Sequence, residues 1–274
     1  MQMIKKIAAV FLFVFVWSFL FLNKPALYAV SEAFFRTIGI AAFAAIFAAI
    51  LGIFVALILH FARKRFLKTY HLLLFLMDIF RSIPQIVALL FTFLFISSLG
   101  KDGFLLSMPF LYSFFISITL SIFIFPEITL LIDERISFFR KNDFYDSLLV
   151  CGVKERRIIL FDIILKNSTA HLVNKIIATF GMAIFLICSV DFIISIGLAN
   201  KETPYSLPLT LGTLLAKPDS KQDILAIGTL LSDPSYITKL PFVHLQGLLV
   251  AFLISFTLLS IYKIGNWLVE RNKL

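Results

Sequence analysis

The chain has 274 residues, 60% of them hydrophobic, with 33 phenylalanines and a mean hydropathy of +0.99. Soluble proteins average about 45–50% apolar residues, so this composition excludes an ordinary soluble domain and indicates an integral membrane protein. The formal net charge of +9 would suit nucleic acid or anionic lipid as a partner, and it would equally suit a membrane protein whose cations set its orientation.

Six apolar runs reach or approach the roughly 20 residues that an α-helix needs to cross a bilayer. Each run is continuous, without the alternation that membrane strands show, so we predict helices. The expected fold class is therefore all-α, a polytopic membrane protein with about six transmembrane helices. The runs occupy residues 7–22, 33–61, 72–97, 104–131, 172–199 and 240–261.

The first run defines an N-terminal segment, residues 1–30, which we separate from a five-helix core over residues 31–274. Lys5, Lys6 and the small residues around Ala26 and Ala29 also fit a cleaved signal peptide, although Leu27 is a poor residue where a small one is required. A transmembrane helix remains our prediction, and cleavage would not change the orientation of the other helices.

The second helix carries small residues spaced by three and four, which would let another helix approach closely in lipid. Alanine is also simply a good helix former, so the pattern alone leaves both interpretations open. In either case we expect this helix at the centre of the bundle. The residues are Ala41, Ala44, Ala45, Ala48, Ala49 and Gly52.

The third segment contains Asp78, Arg81 and Pro84. Asp78 and Arg81 are three residues apart and can form a buried ion pair, while Pro84 removes a backbone hydrogen bond and bends the helix. We expect a translocation path or gate here, with a purely structural pair near the interface as the alternative.

The long loop over residues 133–171 alternates basic with apolar residues, as a docking surface would. Gly152 is expected to end one short helix, after which Ile158, Ile159 and residues 161–163 offer apolar surface beside Lys154, Glu155, Arg156 and Arg157. An amphipathic helix lying on anionic lipid is the alternative.

Asp191 is a carboxylate in the fifth helix, and such groups usually face the bundle interior or water. We therefore add it to the candidate path or gate. Snorkelling to the outer interface is the alternative.

The distribution of cationic residues satisfies the positive-inside rule when both termini are cytoplasmic. This places 133–171 in the cytoplasm and 200–239, with few cations, outside, and it makes a nucleic-acid partner unnecessary. The inner cations are Lys5, Lys6, Arg63, Lys64, Arg65, Lys68, Arg135, Arg140, Lys141, Lys154, Arg156, Arg157, Lys166, Lys175, Lys263, Arg271 and Lys273.

No catalytic constellation is visible in the sequence. The four histidines and two cysteines lack metal-ligand spacing, and no Gly-rich loop ending in Gly-Lys-Ser or Gly-Lys-Thr occurs to hold nucleotide phosphates. We expect no metal, no cofactor and no enzymatic activity in this chain. If the protein takes part in active transport, another subunit must supply the energy.

The stretch Tyr145, Asp146, Ser147 and Leu148, followed by Gly152 and later by Arg157, Ile158, Ile159 and Asn167, resembles the coupling loop of binding-protein-dependent ABC importer permeases. The pattern of that family reads Glu-Ala-Ala, three residues, Gly, and later Ile-x-Leu-Pro. Here Asp146 stands for the Glu, Ser147 and Leu148 replace the two Ala, and Leu165 and Lys166 lie where the Pro would fall. The resemblance implies that residues 145–167 dock into an ATPase subunit, with Tyr145, Asp146, Ser147, Gly152, Arg156, Arg157 and Ile158 as docking residues.

Several further stretches resemble the peptide and nickel permeases of that superfamily. Asp78 and Ile79 followed by Pro84 are similar to an Asp-Ile-x-x-x-x-Pro segment. A Gly-Leu pair at Gly197 and later Thr203 and Pro204 are similar to Leu-Gly-Leu-Gly followed by Thr-Pro. The polar stretch that follows the first helix in those permeases does not fit between Asn23 and Ser31, and Arg81 to Pro84 also resembles the Arg-Ser-x-Pro of phosphonate and methionine permeases.

The resemblance implies a type I permease subunit of an ATP-driven importer in the bacterial inner membrane, carrying oligopeptides or dipeptides. Its partners would be ABC ATPase subunits, a second permease subunit, an extracytoplasmic solute-binding protein and membrane lipid. Alternatives are a permease for phosphonate, nickel or an amino acid, a nonenzymatic scaffold or degenerate paralogue, and a secondary transporter, which usually shows internal repeats.

Overall fold

The computed structural model describes residues 2–22, 24–99, 109–198, 209–217, 226, 228–239 and 246–271. Thr203, Pro204 and part of the predicted outer segment 200–239 lie outside these residues. Within the described ranges the regular structure is helical throughout, which confirms the all-α class. The main helices are α1 (Gln2–Phe21), α2 (Lys24–Arg65), α3 (Leu67–Ser82), α4 (Gln85–Leu99), α5 (Pro109–Arg140), α6 (Asp143–Val150), α7 (Glu155–Arg157), a π-helix (Ile158–Asn167), α8 (Thr169–Leu198), α9 (Leu211–Leu215) and α10 (Gln246–Arg271), with a 3₁₀ turn at Pro234–Thr238.

In the described part of the chain, four helices are long and apolar enough to cross a membrane: Lys24–Arg63, Ser113–Arg140, Thr169–Gly197 and Gln246–Leu268. The bent pair formed by α3 and α4 gives up to five such spans. Helix α1 adds a further apolar helix of 20 residues. Each of the six predicted apolar runs thus contains a helix or, in one case, a helix pair.

Helices α2 and α5 pack along each other and form the centre of the bundle. Three hydroxyls of α5 donate hydrogen bonds to backbone carbonyls of α2: Ser117 to Ile40, Ser121 to Ala44 and Thr129 to Gly52, at 3.2, 3.1 and 3.2 Å. A side chain at Gly52 would place its Cβ 2.8 Å from the Ile128 Cβ. The predicted small-residue face therefore brings two helices together, as such faces do in lipid.

The third predicted helix is broken at Ile83 and Pro84 into α3 and α4, which differ in direction by 86°. Ile83 has an extended backbone (φ −82°, ψ 124°), which a following proline favours. The predicted bend at Pro84 is confirmed, whereas a single helix across residues 72–97 is wrong.

The remaining helices surround the α2 and α5 pair. Helix α8 packs against α2 and α10, and the short helix α9 lies against α8, α10 and α2. Helix α1 contacts α10, with the Phe11 and Phe256 rings 4.9 Å apart. Helix α5 continues to Arg140, so the loop predicted over 133–171 begins about two turns later than expected.

Candidate coupling segment and intramembrane polar groups

Residues 141–168, here called the coupling segment, connect the ends of α5 and α8. The segment begins with α6, whose first turn carries Asp143 and Asp146. Carboxylates at that end complement the partial positive charge of a helix N-terminus.

Gly152 ends α6 and reverses the chain, as predicted. Its φ is +80°, the only positive φ among the described residues. The Gly152 amide donates to the Leu149 carbonyl at 2.9 Å, and the Val153 amide donates to the Leu148 carbonyl at 3.1 Å. These two bonds form a Schellman motif, in which the left-handed residue is usually glycine.

The second half of the coupling segment is a ten-residue π-helix, Ile158–Asn167. The Asn167 side-chain amide donates to the Asp162 carbonyl at 2.7 Å. Ile158, Ile159, Ile163 and Ile164 are buried in the core of the chain. Ile158 was predicted to contact an ATPase, but the structure places it inside the protein, where it anchors the segment.

A hydrogen-bonded cluster joins the coupling segment to α2. The Tyr145 hydroxyl donates to Glu155 Oε1 at 2.7 Å, and His60 Nε2 lies 3.3 Å from the same oxygen. Burial, followed by the Glu155 hydrogen bond, raises the pKa of Tyr145 to about 12. Arg156 lies over the Phe61 ring, 5.7 Å from its centroid. Tyr145 was predicted as a docking residue, yet its buried side chain faces the body of the protein.

A second contact joins the coupling segment to α5. Arg135 Nε donates to the hydroxyl of Ser168 at 3.3 Å. The Arg135 guanidinium also lies 5.3 Å from the Phe138 ring centroid and 5.2 Å from that of Phe139. The segment is thus attached to both helices at the centre of the bundle.

Five of the predicted docking residues are exposed: Asp146, Ser147, Gly152, Arg156 and Arg157. Large apolar side chains of the coupling segment are exposed with them, and Val150 is the most exposed, at 88%. Such an arrangement, apolar groups with charged neighbours, is what a protein interface buries. These apolar residues are Phe144, Leu149, Val150, Phe161 and Leu165.

The side chains of Asp78 and Arg81 on α3 are exposed. Their side chains approach to 3.9 Å, as the spacing predicts, but they are 73% and 51% exposed in this chain. The expectation of a buried pair is wrong for the single chain, because α3 buries only Met77. Pro84 is also exposed.

Asp191 is buried in the bundle and not at its surface. The Thr210 hydroxyl donates to Asp191 Oδ2 at 2.6 Å, and Thr210 also caps α9. The backbone amide of Leu211 donates to the Thr37 hydroxyl at 3.0 Å, which ties the same short helix to α2. The interior position agrees with the sequence argument, whereas snorkelling does not.

Sequence reasoning overlooked a charged pair in α5 and α8. Lys175 Nζ donates to Glu127 Oε2 at 2.7 Å, across 48 residues of sequence. These two residues line a cavity of about 430 Å³ together with Arg81 and Gln85 from the α3 and α4 break. The available signal was Glu127 itself, an ionisable residue in an apolar run, directly after Pro126.

The described residues contain no group of three or more His, Cys, Asp or Glu side chains able to hold a metal ion. Of the two cysteines, Cys151 is exposed at the tip of the coupling segment and Cys188 is buried.

Comparison with known proteins gives a structural similarity and no sequence relative. No protein-family model matches the chain, and no curated protein matches it. Among solved structures it is similar to a chain of the MetNI methionine ABC transporter in inward-facing conformations, with a TM-score of 0.60 and 15% identity. The match covers 91% of this chain and 99% of the other. The protein therefore has a helical, multi-pass membrane fold similar to that of the matched chain of this ABC transporter.

Proposed function

We propose that the chain is the permease subunit of an ATP-driven ABC importer, without a nucleotide-binding site of its own. The observation that carries the proposal is the coupling segment, which exposes Val150, Phe161 and Leu165 beside charged residues. The match along nearly the whole chain to a methionine ABC transporter chain supports the same proposal.

In this proposal the coupling segment transmits movement from the ATPase to the bundle. Closure of two ATPase subunits would displace the segment as a rigid body. The Tyr145, Glu155 and His60 cluster would carry the displacement to α2, and the Arg135 contact with Ser168 would carry it to α5. Because α2 and α5 form the centre of the bundle, tilting these helices would open the translocation path to the opposite side of the membrane.

The proposal includes the partners and location that the sequence resemblance implies. ABC ATPase subunits would dock on the coupling segment, a second permease subunit would complete the path, and an extracytoplasmic binding protein would deliver the solute. The protein would lie in a bacterial inner membrane with both termini in the cytoplasm. Oligopeptides or dipeptides are the proposed cargo, supported by the resemblance to peptide permeases.

A pull-down of the tagged chain in mild detergent tests the proposal. Wild type is expected to retain an ATPase subunit, and Gly152→Arg is expected to lose it, because the substitution strains the turn and adds a charged side chain to the exposed surface. Gly228→Arg, at an exposed glycine with open space around it, is the matched control and should retain the ATPase. Absence of any ATPase from the wild-type sample would refute the proposal.

A further inference from the structure

The cavity between the α3 and α4 break, α5 and α8 has an unusual lining for a membrane bundle. Its volume of about 430 Å³ lies in the range of small-molecule sites. Arg81 and Gln85 come from one wall, and Glu127 and Lys175 come from the other two helices. Ionisable groups within membrane spans are costly and usually serve a pathway or a site.

The lining residues of the cavity carry two cations, Arg81 and Lys175, and one carboxylate, Glu127. Lys175 neutralises Glu127 through the 2.7 Å bond to Oε2. Arg81 forms its ion pair with Asp78, 3.9 Å away, which does not line the cavity; among the lining residues Arg81 is therefore a cation without a carboxylate partner. A guanidinium in this position can bind a carboxylate through two parallel hydrogen bonds.

Glu127 retains capacity to bind a cation. A carboxylate offers about four lone-pair positions, and Lys175 occupies one position on Oε2. The remaining capacity of Glu127 favours an ammonium group at this end of the cavity.

Two aromatic side chains also line the cavity. Phe80 and Phe123 line the cavity, with ring centroids 5.6 Å apart in an edge-to-face arrangement. Such a wall accommodates the aliphatic part of a solute.

We infer that this cavity binds a small zwitterionic solute carrying a carboxylate and an ammonium group, such as a dipeptide. Arg81 and Gln85 hold the carboxylate, and Glu127 holds the ammonium group, with Lys175 keeping Glu127 in position. This inference rests on the proposed function, since it assigns the solute site of that permease.

The test uses the tagged full chain in lipid nanodiscs, with whatever subunits copurify, and measures thermal stabilisation by four probes. The probes are L-alanyl-L-alanine, its C-terminal amide, its N-acetyl form and methylphosphonate. The dipeptide should stabilise wild type, and both blocked forms should do so at least about tenfold less effectively, because each loses one charged contact.

Two substitutions test which residues of the cavity bind the carboxylate and which bind the ammonium group. Arg81→Gln should raise the dipeptide concentration for half-maximal stabilisation at least about tenfold, and Arg81→Lys, which keeps the charge, should restore part of the response. Glu127→Gln should abolish the preference for the free amine over the N-acetyl form. Lys68→Gln removes a cation from an exposed position on the same helix as Arg81, outside the cavity, and should leave the dipeptide response unchanged.

Three results would overturn the inference: no stabilisation by the dipeptide, stabilisation that Arg81→Gln leaves intact, or stabilisation by methylphosphonate alone. The copurified ATPase is scored in the same samples. If the ATPase copurifies and the dipeptide does not stabilise the protein, the inferred solute site is refuted and the proposed function is not. Loss of the ATPase from wild type would count against the function itself.

Discussion

Gly152 fixes the shape of the coupling segment through its backbone conformation. An added Cβ would meet no other atom within 4 Å, so space around the residue does not explain the glycine. The φ of +80° does, because side chains destabilise that conformation.

Gly152→Ala is therefore expected to destabilise the turn by about 1–2 kcal/mol. A loss of that size increases local opening by a factor of roughly 5–30, so limited proteolysis within residues 141–168 should accelerate correspondingly. Gly228→Ala is the control, since its Cβ would also meet open space but its φ is not positive. Equal cleavage rates in the two variants would contradict the strain argument.

The Tyr145 hydroxyl is the second residue-scale determinant of the segment. Its hydrogen bond to a carboxylate is worth about 1.5–3 kcal/mol, and Tyr145→Phe should lower stability by an amount toward the lower end because Glu155 is partly exposed. A double-mutant cycle with Glu155→Gln, measured by thermal unfolding, should give a coupling energy above about 0.5 kcal/mol.

The pH dependence of that bond follows from the raised pKa. The Tyr145 pKa rises from 10.0 to about 12 on folding, so the protonated form is favoured in the native state. The contribution of the Tyr145 hydroxyl to the free energy of unfolding should be constant below pH 10 and decline as pH rises toward 12.

Ser147→Ala is the control for the Tyr145→Phe substitution. It removes an exposed hydroxyl bonded only locally to Phe144 and should change stability by less than about 0.5 kcal/mol. A coupling energy near zero would show that the cluster does not join α6 to α7.

At the scale of elements, the short helix α9 holds α8 and α2 together. Thr210 bonds Asp191 of α8, and Leu211 bonds Thr37 of α2. Gly212 lets α9 approach the backbone of α8 closely, since a Cβ at this position would clash with the Cys188 carbonyl oxygen. In this structure Asp191 therefore holds α9 against α8 through its bond with Thr210.

Gly212→Ala should displace α9 and cost about 1–3 kcal/mol, as overpacking of a core does. Gly197→Ala, in α8, is the matched control because no atom lies within 4 Å of its Cβ. Thermal unfolding in detergent should show a lower midpoint for the first variant and an unchanged midpoint for the second. If Gly212→Ala unfolds like wild type, α9 is not tightly packed against α8.

At the scale of the whole molecule, the sequence predicted those features that depend on local patterns. Apolar run length located the helices, the spacing of alanines on α2 predicted close packing with another helix, and Gly152 and Pro84 predicted a turn and a bend. Each of these follows from the chemistry of one residue or from a period along one helix.

The contacts that assemble the candidate sites were not predictable in this way. Glu127 meets Lys175 across 48 residues, and His60 meets Glu155 across 95. Such pairs depend on the register and rotation of helices that pack together, which no single-helix pattern specifies. Similarly, Ile158 and Tyr145 have the residue types of a docking surface, and only tertiary packing turns them inward.

The central claim is that the exposed face of the coupling segment docks an ATPase, and cross-linking through Cys151 tests it most directly. Cys151 is exposed beside Val150, and the other cysteine, Cys188, is buried, so a membrane-permeant thiol-to-amine cross-linker should react at Cys151. Wild type in membranes should yield one ATP-dependent adduct with an ATPase subunit, and Cys151→Ser should yield none. Val150→Asp should reduce the adduct at least about fivefold, whereas Leu231→Asp, at an equally exposed residue outside the segment, should not. An adduct unaffected by Val150→Asp, or no ATPase adduct in wild type, would contradict the account.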